Sequence, residues 1–233
     1  MKQKHSKLLR RAFVSTLPVM AGYVVLGTGF GILFQSKGYG LLWAAAMSLF
    51  VYAGSMQYLA VDLLTGGVSL IAAAVTTLMV NARHLFYGIS MIGRYQNMGP
   101  YKPYLIFGLT DETYSLNCVD LPGDITNAPL YYFLVTILDQ IYWVLGTVIG
   151  SLLGQIIPFS TEGIDFSLTA LFITVFVEQW KSTIDHAPAI IGLASSVVCL
   201  LIFGTGNFLI PTMILITLCL TIYRRTEGGK AHD

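Results

Sequence analysis

Asn81-Ala82-Arg83-His84 puts an amide, a guanidinium and an imidazole side by side, with the phenol of Tyr87 one turn further on. The flanking sequence is apolar on both sides. On an uninterrupted helix Asn81 and His84 share one face, and Arg83 and Tyr87 another. A charged side chain at the centre of a membrane helix costs about 2.5–3.5 kcal/mol even on the mild insertion scale. Arg83 therefore needs a partner or a purpose, unless it snorkels to the membrane edge. A second cluster, Asp111-Glu112, places two acids together between Thr110 and Thr113. Adjacent helical residues point about 100° apart, so at most one acid faces a given cavity unless the helix breaks there. One can pair with Arg83. The other can bind an amine or take up a proton, because apolar surroundings stabilise the neutral form of a carboxyl group. His84 is a third candidate for proton exchange.

A third cluster, Ala53-Gly54-Ser55-Met56-Gln57, contributes backbone more than side chains. Small and polar residues inside an apolar run predict an unwound stretch. Exposed N–H and C=O groups survive in hydrocarbon only against protein or a water-filled cavity. A helix N-terminus carries partial positive charge and can hold a carboxylate. Gly54-Ser55 and Asn81-Ala82 are the best places for this, although Gly54 and Ser55 also suit plain close packing of helices. The candidate substrate-binding residues are thus Gly54, Ser55, Gln57, Asn81, Arg83, His84, Tyr87, Asp111 and Glu112. Those for proton coupling are Asp111, Glu112 and His84. Asp62, Asp139 and Gln140 are weaker candidates, with Asp62 and Asp139 readable as interfacial.

Those clusters need apolar elements to carry them. The chain has 233 residues, of which 55% are hydrophobic and only 11% charged. Soluble domains average about 25% charged residues, and disorder requires high charge with low hydrophobicity. Both are excluded, leaving an all-α polytopic membrane bundle. At about 20 residues per crossing the chain holds seven or eight segments, some discontinuous, in one integral-membrane domain spanning 1–233. The segments fall at roughly 12–34, 41–64, 67–93, 103–119, 130–157, 166–181, 187–204 and 208–223. Lys2, Lys4, Lys7, Arg10 and Arg11 crowd a tail over 1–11, and Arg224, Arg225 and Lys230 another over 224–233. The positive-inside rule puts both in the cytoplasm, hence an even number of crossings. Eight crossings leave Arg94 and Lys102 outside, against that rule. Splitting the third segment into two short pieces returns them to the cytoplasm.

Gly146, Gly150 and Gly154 recur every fourth residue, and Gly27 and Gly31 repeat the spacing once. Such faces let backbones approach closely. Internal packing is the expected use, with docking of a second subunit as the alternative. Other chemistries find no support. There is no GxxxxGK[ST] phosphate loop, no GxSxG elbow and no metal-site spacing. No enzyme activity and no cofactor are expected. Cys118, Cys199 and Cys219 lack CxxC spacing and read as structural thiols.

The four clusters Pro18…Gly27/Phe30-Gly31, Ala53-Gly54-Ser55-Met56-Gln57, Asn81-Ala82-Arg83-His84 with Tyr87-Gly88, and Leu109-Thr110-Asp111-Glu112-Thr113-Tyr114 resemble the AzlC family in order and spacing. That is the large subunit of bacterial branched-chain amino acid exporters. The resemblance implies a small hydrophobic AzlD-like partner. It also implies export of leucine, isoleucine, valine or similar apolar amino acids across the bacterial inner membrane, driven by the proton gradient. A membrane scaffold, or a permease subunit with another energy source or substrate, is the alternative left open.

Overall fold

The computed structural model describes residues 2–121, 123, 125, 127–156, 169, 173, 176–177, 180–181, 183 and 185–230. Among these every regular element is helical. The chain divides into two compact units, 1–168 and 169–233.

The first unit is built on two long helices, α1 (Lys2–Ser36) and α8 (Ala128–Ile156). They pack against each other along most of their length. The two glycine rows meet. A Cβ on Gly27 would lie 2.8 Å from the Trp143 carbonyl oxygen, and one on Gly146 would lie 2.7 Å from that of Val24. Backbones this close exclude any side chain, so the glycine spacing serves internal packing, and the second-subunit alternative finds no support. Residues 2–11, read as a basic tail, continue α1 as helix.

Shorter helices wrap this pair, and each expected segment between residues 41 and 119 is broken. Residues 41–64 form α2 (Leu41–Phe50) and α3 (Gly54–Thr65). Residues 67–93 form α4 (Leu70–Asn81) and α5 (Arg83–Met91), bent by 42°. Residues 103–119 form α6 (Lys102–Phe107) and α7 (Asp111–Asn117). The turn between α2 and α3 holds Tyr52 at φ +43°, in the left-handed region. That conformation costs a non-glycine residue about 1–2 kcal/mol, and Tyr52 is held there almost fully buried. Thr110 caps α7 by accepting a hydrogen bond from the Thr113 N–H.

The second unit contains α9 (Ala187–Asn207) and α10 (Leu209–Lys230), which pack together. Gly204 breaks α9 near its end with φ +70°. The expected segment at 166–181 lies largely outside the described residues.

Among the described residues three helices are long and apolar enough to cross a bilayer, at Ser6–Ser36, Ala128–Ile156 and Ala187–Gly204. The bent α4–α5 pair would make a fourth. Seven or eight full crossings are not reached by helices of that length among the described residues, because the breaks leave several short ones. The distribution of polarity is that of a chain in lipid. Leu42, Trp43, Leu70 and Leu201 stand exposed, while Gln57, Thr113, Asp139 and Thr147 are completely buried. Polar groups inside a membrane face the bundle interior and one another.

Candidate binding site at three helix breaks

The breaks converge. Arg83, the first residue of α5, forms an ion pair with Asp111, the first residue of α7, at 2.5 Å. The same guanidinium donates to the hydroxyl of Ser55, the second residue of α3. One side chain thus ties together three helix starts from separate parts of the sequence. The pair is incompletely satisfied: Arg83 Nε, Asp111 Oδ1 and Asn81 Oδ1 are buried with no hydrogen-bond partner. Unmet buried polar atoms cost about 1–3 kcal/mol each, and they mark where a polar ligand would be welcome. At the start of α3 no side chain caps the helix, so its first-turn N–H groups add positive potential.

Around this centre the expected residues take distinct places. Tyr87 stacks on Tyr114 with ring centroids 4.6 Å apart, and His84 meets Tyr87 edge-on at 5.8 Å. His84 Nδ1 lies 3.1 Å from the Asn81 carbonyl oxygen across the bend. Asn81, Ala82 and His84 also line a cavity of about 380 Å³, walled by apolar Leu78, Leu85, Ile106 and Leu109. Gly54 packs on the Trp143 indole, where a Cβ would lie 3.0 Å from the ring.

The two acids separate because α7 begins at Asp111. While Asp111 turns to Arg83, Glu112 turns to α1 and accepts a hydrogen bond from the Tyr23 hydroxyl at 2.7 Å. Gln57 faces the helix core instead of the Arg83 centre. It donates to Ser48 at 2.9 Å and accepts from the Trp143 indole at 2.8 Å, and Ser48 donates to Thr147 at 2.8 Å. Its role here is to anchor α3 to α2 and α8.

Among the weaker candidates, Asp62 is exposed, and Gln140 joins Tyr104 at 2.5 Å to the Leu49 carbonyl oxygen at 3.0 Å. Asp139 has no exposed surface and accepts from Thr113 at 2.7 Å. Sequence reasoning also missed Tyr23, Tyr52, Thr110 and Thr113. The available signal was Asp139 itself, a single acid near the middle of a 29-residue apolar helix, a placement that marks a functional position. Arg94, which the charge rule set against eight crossings, is held at 2.6 Å by the Val119 carbonyl oxygen and at 3.2 Å by Asp120. Among the described residues no group of His, Cys, Asp and Glu is placed to hold a metal ion, and Cys118, Cys199 and Cys219 are free thiols.

Known proteins share this framework. The chain is 43% identical to the "Branched-chain amino acid transport protein AzlC" of Bacillus subtilis over 217 residues, covering 93% of this chain and 85% of that protein. It is 38% identical to an uncharacterized membrane protein of Helicobacter pylori, covering 94% and 96%. It is 29% identical to the "Inner membrane protein YgaZ" of Escherichia coli, covering 94% and 91%. No solved structure matches. The sequence pattern of the AzlC protein family matches residues 18–157, a stretch that includes the three helix breaks between residues 41 and 119 and all of the α1–α8 pair beyond residue 17. With the breaks, the charged centre and the packed glycines all inside the matched region, this chain belongs to the AzlC family.

Proposed function

We propose that the chain is a secondary transporter that exports branched-chain or similar apolar amino acids, as the large subunit of a two-component exporter. The observation that carries the reading is the unsatisfied Arg83–Asp111 pair at the convergence of three helix breaks. A free α-amino acid is a zwitterion with a carboxylate beside an ammonium group. Arg83 Nε and the α3 N-terminus offer donors for the carboxylate, and Asp111 Oδ1 offers an acceptor for the ammonium group. The substrate would enter between two charges that already neutralise each other, which limits the desolvation cost of an empty site. The apolar cavity at Leu78, Leu85, Ile106 and Leu109 supports selection of an aliphatic side chain. The likeness to the Bacillus subtilis transport protein supports the substrate class.

Coupling would use the proton gradient, with Glu112, Asp111 or His84 exchanging the proton. The bilayer is the bacterial inner membrane, with both termini in the cytoplasm and seven or eight segments counting the broken ones. A small hydrophobic AzlD-like subunit completes the exporter. Apolar residues exposed on the first unit, such as Leu42, Trp43 and Leu70, are consistent with lipid or such a subunit around it.

The test is efflux from cells. Cells loaded with labelled leucine and expressing the chain with its partner should lose label faster than cells expressing Arg83→Gln at equal membrane abundance. Equal efflux from both would count against the reading, and would favour a scaffold.

A further inference from the structure

Resting on that transport reading, we propose that Glu112 and Asp139 share a single proton through a relay of three hydroxyls, Tyr23, Thr110 and Thr113. Asp139 becomes the inner proton site.

The oxygens form an unbroken series. Glu112 Oε2 lies 2.7 Å from the Tyr23 hydroxyl, which lies 2.6 Å from Thr110 Oγ1. Thr110 Oγ1 lies 3.0 Å from Thr113 Oγ1, which lies 2.7 Å from Asp139 Oδ2. Tyr23, Thr110, Thr113 and Asp139 are all buried.

Hydrogen counting fixes the charge state. Four links in series need four hydrogens, and the three hydroxyls supply three. With both carboxylates ionised, Tyr23 donates to Glu112 and Thr113 to Asp139. Thr110 is then left with one hydrogen for two neighbours, and one pair of oxygens meets lone pair to lone pair. One carboxyl proton completes the series. With the proton on Glu112, donation runs Glu112 to Tyr23 to Thr110 to Thr113 to Asp139. With the proton on Asp139 every bond reverses. In both states Thr110 Oγ1 still accepts the Thr113 N–H. Passing from one state to the other breaks four O–H bonds and forms four. The negative charge changes ends and nothing else is consumed.

The surroundings favour one shared proton over two free charges. The groups facing Asp139 are Glu112 of α7, Tyr23 of α1, Tyr52 of the α2–α3 turn and Tyr104 of α6. Asp139 Oδ1 and the Tyr52 hydroxyl are buried without hydrogen-bond partners, and among the described residues no cation acts on Asp139 to hold a permanent charge there. Glu112 faces Tyr23 and Tyr52, together with Asp111 of its own helix and Arg83 and Tyr87 of α5. It adjoins the Arg83–Asp111 centre, whose side chains are 29% and 32% exposed. That end is where a proton enters or leaves beside bound substrate.

Infrared spectroscopy of the chain in lipid bilayers tests the shared proton through the C=O stretch of a protonated carboxyl group. The wild type should show this band at neutral pH, and Glu112→Gln/Asp139→Asn should lack it. A wild type without the band, or a double variant that keeps it, overturns the proposal. This readout does not depend on flux. In proteoliposomes with the small subunit, Thr113→Val should lower pH-driven leucine accumulation about tenfold further than leucine–leucine exchange, and Thr113→Ser should restore it. Undiminished accumulation in Thr113→Val, or equal failure of both variants, overturns the relay. A wild type with no pH-driven flux counts against the transport reading instead, and the infrared result alone then decides the relay.

Discussion

Replacing Arg83 by Gln removes one cation from the centre while keeping a polar side chain of similar length. In the structure the guanidinium holds Asp111 and Ser55 and keeps Nε free. Glutamine cannot bridge both partners, and it carries no charge toward a substrate carboxylate. Charge-assisted hydrogen bonds contribute about 1.5–3 kcal/mol each. Losing one such contact should weaken leucine binding about 10- to 150-fold. The cost to folding should be smaller. The ion pair is about one-third exposed, so its net contribution is discounted toward the roughly 1 kcal/mol of solvent-accessible pairs. Two measurements separate these effects. Thermal unfolding in detergent reports whether the variant remains folded. Equilibrium binding then compares labelled leucine with 3-methylbutylamine, which has the same side chain and amine but no carboxylate. The variant should lose leucine affinity and keep, or gain, affinity for the amine, because Asp111 is freed. Unchanged leucine affinity in a folded variant, or equal weakening of both ligands, would refute the zwitterion site.

Other outcomes follow from the packing. A Cβ at Gly150 would collide with the Thr28 backbone, so Gly150→Ala should lower stability by about 1–3 kcal/mol. Gly22→Ala, where a Cβ meets nothing within 4 Å, should be neutral or slightly stabilising. Thermal unfolding of the pair checks both, and equal midpoints would mean that α1 and α8 do not approach so closely. Trp143→Phe removes the donor to buried Gln57 and should cost about 1–3 kcal/mol. In that variant Gln57→Leu should add little further loss, and independent, additive losses would argue against their contact.

Much of the site could be read from residue type. Gly54-Ser55, Asn81-Ala82 and Thr110-Asp111 stand out because small and polar residues interrupt apolar runs, and all three lie at helix breaks in the structure. The pairing of one acid with Arg83 was equally legible, since an intramembrane cation requires a partner. The glycine spacing implied close packing, though not which helix would supply the other face. What stayed hidden depends on tertiary contact. Tyr23 is a single hydroxyl in a largely apolar stretch of α1, Thr113 stands beside two acids that draw the attention, and nothing periodic distinguishes either from a packing residue. Their partners are far off in sequence, at a separation of 89 from Tyr23 to Glu112 and of 26 from Thr113 to Asp139. Gln57 fits the site pattern in sequence, yet α3 rotates it toward Trp143 and Ser48. Crossing number was obscured for a related reason. Hydropathy does not separate one long helix from two short ones joined at a break, and three successive segments are broken here.

The central claim is transport driven by a proton gradient. It is tested most directly by uptake of labelled leucine into proteoliposomes holding the chain and the proposed small hydrophobic partner, under an imposed pH gradient and without ATP. The account predicts accumulation above equilibrium that a protonophore abolishes. Leucine that merely equilibrates, or accumulates unchanged in the presence of the protonophore, would contradict it.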